Sequence, residues 1–207
     1  MSICIISATS LELQNFQPNG TDILITGLGA TATTYHLTHY LRHKKPSLII
    51  QAGIGGSFNQ DLHQGSAVII SADRFADLGV QENNQWKDIF DLQLADPRAS
   101  PFSDGWLLNP HQDLLNSLSM QQVNAITINE ITTLPVRIQQ LKEKYNPSVE
   151  SMEGAAFHYV CLQEQIPFLQ LRTISNYIGE RNKEKWALKQ AIQNLVEHLQ
   201  IIIRQVK

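Results

Sequence analysis

The sequence predicts one three-layer α/β domain over residues 1–207, with a mostly parallel, mixed central sheet. Three observations carry this expectation. Continuous apolar runs such as Ile3-Cys4-Ile5-Ile6 and Leu48-Ile49-Ile50 suit strands buried on both faces better than alternating surface strands. Segments with apolar residues at helical spacing alternate with those runs. Glycines and polar side chains gather just past the ends of the runs, where α/β folds place their chemistry.

The bulk properties agree. At 207 residues the chain can bury one sizeable core, and no Pro-, Gly- or Ser-rich linker or charge block divides it. Its 43% hydrophobic and 17% charged residues are ordinary for a soluble globular protein. A net charge of −3 gives no electrostatic footprint for nucleic acid or an anionic membrane, so neither is expected as partner. Cys4 and Cys161 fall in an expected strand and an expected helix and read as reduced core residues. The first apolar run lacks a preceding basic region and is broken by Ser7, Thr9 and Glu12, so no signal peptide is expected. No apolar run approaches the ~20 residues of a membrane span. A cytoplasmic protein follows as the default.

The first strand, residues 2–8, ends in Thr9-Ser10-Leu11-Glu12-Leu13. Glu12 there either opens a helix or is a catalytic carboxylate. A second strand, 21–26, leads through Gly27-Leu28-Gly29-Ala30-Thr31-Ala32 into a helix reaching His43. A dinucleotide site on this G-x-G-x-x-A pattern would need an acidic residue at the end of the next strand. That strand, 47–51, ends in Gln51, so the glycines are read as a tight turn that lets the helix pack close to the sheet. His36, His39 and His43 share one helix face, but nothing else supplies a ligand set and His43 complements the helix C-terminus. No metal and no cofactor are expected. The following Gln51-Ala52-Gly53-Ile54-Gly55-Gly56-Ser57 loop either points backbone N–H groups at a bound ligand or is a turn needing positive φ.

A further strand covers 65–72. Residues 73–108 have weak periodicity with scattered aromatics and read as long loops with short elements, functional, interfacial or satellite core. Asn109 to Ser119 is predicted as a helix capped by Asn109 with Pro110 at its first position. Residues 122–129 alternate as a strand. A short strand, 147–151, runs into a helix beginning near Glu153, whose carboxylate either complements the helix dipole or serves a site. Gly154, Ala155 and Ala156 let a neighbour approach closely. After Pro167 a strand, 168–174, ends in Ser175-Asn176, and a last amphipathic helix is expected from Lys183 to about Gln205, anchored by Trp186.

Ser151-Met152-Glu153-Gly154-Ala155, followed by Arg172-Thr173-Ile174-Ser175-Asn176, resembles the purine nucleoside phosphorylase and nucleosidase superfamily. The resemblance implies a nucleoside phosphorylase-like fold, a small-molecule nucleoside substrate, no cofactor, and a homodimer whose 73–108 region lends residues to the neighbouring pocket. It implies that Glu153 accepts the ribose hydroxyls, that Met152 packs on the sugar, and that the loop with Gly53 and Ile54 lies against it. The loop ending in Ile131 and Thr132 would meet the base. Asn176 would read the purine at N7 and its 6-substituent. Glu12 falls where the nucleosidase branch carries the Glu that activates the attacking water. Ile54 removes a hydroxyl donor, and no Arg stands in sequence near Glu12 or the Gly27–Gly29 turn to hold phosphate, so water is the expected nucleophile.

The neutral Asn176 amide offers an N–H to a 6-oxo oxygen and a carbonyl to a protonated N7, which suits hypoxanthine. Residues Asn176 to Arg181, with Trp186, are similar to the branch that hydrolyses futalosine to hypoxanthine and dehypoxanthine futalosine for menaquinone synthesis. Arg181 is then either a partner for the substrate benzoate or a surface arginine. Two other readings stand beside this one. One is a phosphorylase or a methylthioadenosine/adenosylhomocysteine nucleosidase; the other is a noncatalytic nucleoside-binding module.

Overall fold

The computed structural model describes residues 2–207. Strands β1 (Ile3–Ser7) and β2 (Asp22–Ile25) precede helix α1 (Gly29–Leu41), followed by β3 (Leu48–Ser57) and β4 (Ala67–Asp73). A small hairpin, β5 (Gly79–Glu82) with β6 (Gln85–Asp88), and the short β7 (Leu107–Leu108) occupy the weakly patterned region. Then come α2 (Gln112–Ser117), β8 (Gln122–Thr127), α3 (Pro135–Tyr145) and β9 (Val149–Ser151). Helix α4 (Gly154–Gln163), β10 (Phe168–Tyr177) and α5 (Leu188–Val206) complete the chain.

The main sheet is mixed and mostly parallel, as expected: β1–β2, β1–β3, β3–β10, β4–β8 and β8–β9 are parallel, and β3–β9, β4–β10 and β4–β7 antiparallel. The ten-residue β3 changes neighbour along its length. Its first half pairs with β1, and Gly56 and Ser57 pair with β9, while β10 follows its other edge throughout. Because β10 also pairs β4, β4 pairs β8 and β8 pairs β9, five strands close on themselves. Side-chain periodicity reports which face a residue occupies, not which strand lies beside it. The closure was therefore invisible in the alternation of apolar runs.

Both faces of the sheet are covered, which is why its strands are apolar without alternation. Ile3, Ile5, Leu48, Ile50, Leu169 and Leu171 pack against Leu195, Leu199 and Ile202 of α5. Cys4, Ile6, Ile49 and Phe168 pack on the other face against Leu37 of α1 and Phe157, Val160 and Cys161 of α4. Each such aliphatic side chain contributes roughly 1.5–3 kcal/mol by leaving water. Cys4 and Cys161 are free and buried, and burial pushes both thiols up, Cys4 to about 11.

Four expectations on elements are corrected. The 51–57 segment is neither a loop nor a positive-φ turn but the second half of β3, and Gly53, Gly55 and Gly56 have no positive φ. Asn109 does not cap α2, which starts at Gln112; its side chain donates to Phe168 O at 2.7 Å and accepts the His111 N–H at 3.0 Å, tying the loop to β10 instead. The last helix does not begin at Lys183. Lys183–Lys185 form a separate 3₁₀ turn capped by Asn182, and Ala187 donates its N–H to Ser175 O at 2.9 Å before α5 starts. Trp186, in that break, donates Nε1–H to Glu180 O at 3.0 Å rather than anchoring a helix face. Helix α3 went unread because only Ile138, Leu141 and Tyr145 mark its inner side in an otherwise polar segment.

Beneath α4 lies a buried polar cluster. Asp73 accepts from Thr127 Oγ1 (2.9 Å), Gln170 Nε2 (3.1 Å) and the Arg74 N–H (2.8 Å), and a Cβ on Gly154 would overlap Asp73 Oδ2 and Gln170 Nε2. His158, fully buried beside Gln170, lies with Nδ1 2.9 Å from Leu107 O. A carbonyl only accepts, so Nδ1 carries the proton.

Burial pushes His158 down to about 4 and Asp73 up to about 6. The two act with opposite sign. His158 adds stability that is complete above its unfolded value near 6.5 and is lost as pH falls towards 4. Asp73 adds stability that is complete below 3.8 and is lost as pH rises through 6. Replacing His158 with Asn, which keeps an N–H for Leu107 O, removes only the first effect. The gap in melting temperature between wild type and His158→Asn, measured by calorimetry, is expected to shrink between pH 7.5 and pH 5, by the equivalent of about 2 kcal/mol. A constant gap would mean that His158 does not titrate on unfolding.

Candidate functional site

A cavity of about 530 Å³ opens where β1, β3, β9 and β10 end. Glu12 enters it from the turn after β1. Leu13 and Phe16 on that turn are buried in the core against α5, which holds Glu12 over the strand end. Glu12 is only 7% exposed. Its Oε2 accepts from Ser7 Oγ (2.9 Å), Thr9 N (3.0 Å) and Thr9 Oγ1 (3.2 Å), and its Oε1 from Ile54 N (3.1 Å). Glu12 opens no helix; four donors hold its carboxylate in one orientation.

Glu153 sits at the N-cap of α4, but its side chain does not cap the helix. Its Oε1 accepts the Gly29 N–H at 3.0 Å, and Gly29 has φ +85°, the left-handed region that favours glycine. The Gly27–Gly29 turn thus clamps the carboxylate. Its Oε2 lies 3.7 Å from Nη1 of Arg172.

Arg172 is the residue that sequence reasoning missed. No Arg stands near Glu12 in sequence, yet β10 delivers this one, 1% exposed, beside the Glu153 carboxylate, with its Nη1 and Glu12 Oε1 both close to where a Gly53 Cβ would stand. Nη2 donates to Gln51 Oε1 at 3.0 Å and Nη1 to Ile54 O at 3.4 Å. The available signal was a guanidinium in the middle of an apolar strand, a placement that demands partners. Register sets Arg172 opposite Gly53, whose absent Cβ leaves room for Nη1. Gly53 therefore lies behind the cavity wall, which begins at Ile54.

Asn176 is the penultimate residue of β10, after a bulge, in register with Gly56. Its Oδ1 accepts from Ser175 Oγ at 2.8 Å and its Nδ2 donates to Tyr177 O at 3.1 Å, leaving one N–H for the cavity. The half-buried Met152, the buried Thr132 and the exposed Ile131 line the same space. Arg181 lies at the rim with its guanidinium 5.5 Å from the Trp186 ring, and both line the cavity. Of the residues singled out in the sequence, Glu12, Ile54, Ile131, Thr132, Met152, Glu153, Asn176 and Arg181 are brought together and Gly53 stands one layer back. The helix α1 histidines lie elsewhere, with His36 Nδ1 3.1 Å from Ala32 O and the His39 ring stacked on Tyr35.

The chain is similar to futalosine hydrolase of Thermus thermophilus, 26% identical over 187 residues that cover 89% of this chain and 82% of that protein. It is also similar to the 5'-methylthioadenosine/S-adenosylhomocysteine nucleosidase of Aeromonas salmonicida, 27% identical over 81% of this chain and 74% of that protein. Its fold superposes on the crystal structure of such a nucleosidase from Colwellia psychrerythraea in complex with adenine, with a TM-score of 0.81 at 19% identity over 99% of this chain and 95% of that one. The model of the phosphorylase superfamily matches residues 19–206. With that match covering nearly the whole chain, this protein belongs to the phosphorylase superfamily.

Proposed function

We propose that the protein hydrolyses the N-glycosidic bond of a purine nucleoside, with a 6-oxopurine nucleoside, futalosine, as its substrate. The observation that carries this reading is the convergence of Glu12, Glu153 and Asn176 on one cavity, with Arg172 buried behind Glu153. Breaking the bond needs an activated nucleophile, stabilisation of an oxocarbenium-like sugar and hydrogen bonding to the departing base. Glu12, with its orientation fixed, takes the proton of an attacking water. Glu153 accepts the ribose hydroxyls and places negative charge beside the sugar as it becomes cationic. Asn176 holds the leaving purine.

Electrostatics favour water over phosphate. Glu12 and Glu153 with the Arg172 guanidinium behind them sum to a formal charge of −1 before the Glu150 carboxyl is counted, which disfavours a dianion. The Arg172 fork is already engaged with Gln51, Ile54 and Glu153. One relative above is named a futalosine hydrolase and the other a nucleosidase, and the Asn176 amide favours the 6-oxopurine substrate between them.

The test is chromatographic detection of free base after incubation in phosphate-free buffer with futalosine and, separately, with methylthioadenosine. Hypoxanthine from the first is the expected result. Adenine from the second with futalosine untouched would overturn the base assignment, and release only on adding phosphate would overturn hydrolysis. Binding without release of either base would leave a nucleoside-binding module.

A further inference from the structure

We infer that Glu150 reads the base, accepting the N1–H of a 6-oxopurine and completing with Asn176 a two-point grip across Gly56. The inference rests on the cavity being a purine nucleoside site. Glu150 is 5% exposed and lines the cavity. Its Oε1 accepts the Thr132 N–H at 3.3 Å, while its Oε2 is buried with no hydrogen-bond partner among the described residues. A buried carboxylate oxygen left unpaired is costly, and such atoms mark places where a ligand supplies the missing donor.

Register puts that oxygen where a base edge would arrive. Gly56 of β3 pairs with Glu150 on one side and with Asn176 on the other. Directly paired residues project from the same face of a sheet, and neighbouring strands lie about 4.8 Å apart, so the two side chains flank a gap of about 10 Å. Gly56 puts no side chain of its own into it; the Ile178 side chain packs there, its Cδ1 2.5 Å from where a Gly56 Cβ would stand, with Asn176 Nδ2 at 3.3 Å. A planar ring would lie on Ile178, which lines the cavity beside Gly56, with one edge at Asn176 and the other at Glu150.

The chemistry of the edge then selects the base. A 6-oxopurine carries a hydrogen on N1, whereas adenine presents a lone pair there. The Thr132 N–H, a donor that would suit adenine, is already covered by Glu150 Oε1. With the Glu150 carboxyl ionised, the surface facing N1 is therefore an acceptor. The charged neighbours are Asp77 and Arg137; Arg137 lies 3.9 Å from the Trp86 ring centroid and donates through Nη2 to Ala76 O at 2.7 Å, while its Nη1 has no hydrogen-bond partner among the described residues. Burial pushes the Glu150 carboxyl up to about 7, and an N–H from the ligand favours its ionised form.

Glu150→Gln tests this with little change in shape. The amide oxygen keeps the Thr132 N–H, and the amide nitrogen turns the unpaired acceptor into a donor. Calorimetric titration of wild type and variant with free hypoxanthine and free adenine reads the base without turnover. Affinity for hypoxanthine is expected to fall about ten- to hundred-fold in the variant, while that for adenine holds or rises. Equal losses for both bases, accompanied by a lower melting temperature, would make Glu150 structural and overturn the assignment. Unchanged binding of hypoxanthine would also overturn it, with the purine cavity still standing. Wild type that binds neither base, or prefers adenine, would remove the underlying reading and this one with it.

Discussion

Glu12→Gln is expected to lower kcat for base release by about 10²- to 10⁴-fold, the range that positioned acid–base groups supply, with substrate affinity within a few-fold of wild type. The substitution keeps the shape of the side chain and removes its capacity to take a proton. Ser7, Thr9 and Ile54 all aim donors at the carboxylate, so an amide nitrogen there faces another donor and some orientation is lost too. That loss is a matter of about 1 kcal/mol per misplaced hydrogen bond and is far too small to explain the larger figure. Single-turnover measurement of base release, paired with the Kd of a nonhydrolysable nucleoside, separates the two. A fall in rate of less than ten-fold would remove Glu12 from the role of base.

Gly53→Ala is the other large effect, and it acts at one remove from the substrate. The backbone at Gly53 is not in the left-handed region, so alanine meets no conformational strain there. Its Cβ, however, would overlap Arg172 Nη1 and stand 3.2 Å from Arg172 Cζ and 3.1 Å from Glu12 Oε1. The guanidinium has to leave Gln51 or Glu153, and a buried charge deprived of its partners costs about 3–5 kcal/mol. A clear drop in melting temperature is expected, together with a fall in kcat/KM of about 100-fold from the misplacement of Glu12 and Glu153. A double-mutant cycle assigns the cause. Arg172→Lys removes the overlapping nitrogen, so the combined variant should lose less than the sum of the two single losses. Strict additivity would show that the contact is not responsible.

The parts of this molecule that a reader of the sequence finds are those encoded locally. Ile3–Ile6 and Leu48–Ile50 announce buried strands because both faces of each are covered, and Glu12, Met152, Glu153 and Asn176 stand just beyond such runs. What escapes is set by partners remote in the chain. Arg172 meets Gln51 and Ile54, and Gly29 meets Glu153, across contacts that no spacing within a segment reveals. Glu150 looks like one more strand residue until the register with Gly56 places it opposite Asn176. The start of α5 was misread for a related reason. No proline or glycine interrupts residues 183–188; the break comes from Asn182 capping a short turn and from Ala187 giving its N–H to Ser175.

That last hydrogen bond bears on how the cavity rim can change. Ile178 donates to Ser57 O and Ala187 to Ser175 O, each at 2.9 Å, so the segment carrying Arg181 and Trp186 leaves the sheet and returns to it at two neighbouring points. The closure of such an excursion depends only logarithmically on its length, and doubling it costs about 0.6 kcal/mol. Insertions between residues 179 and 185 are therefore nearly free in folding energy, while Glu12, Glu153 and Asn176 keep their places on the sheet. The mouth of the cavity is a part that can be exchanged for another, to admit a different nucleoside tail, without renegotiating the chemistry below it.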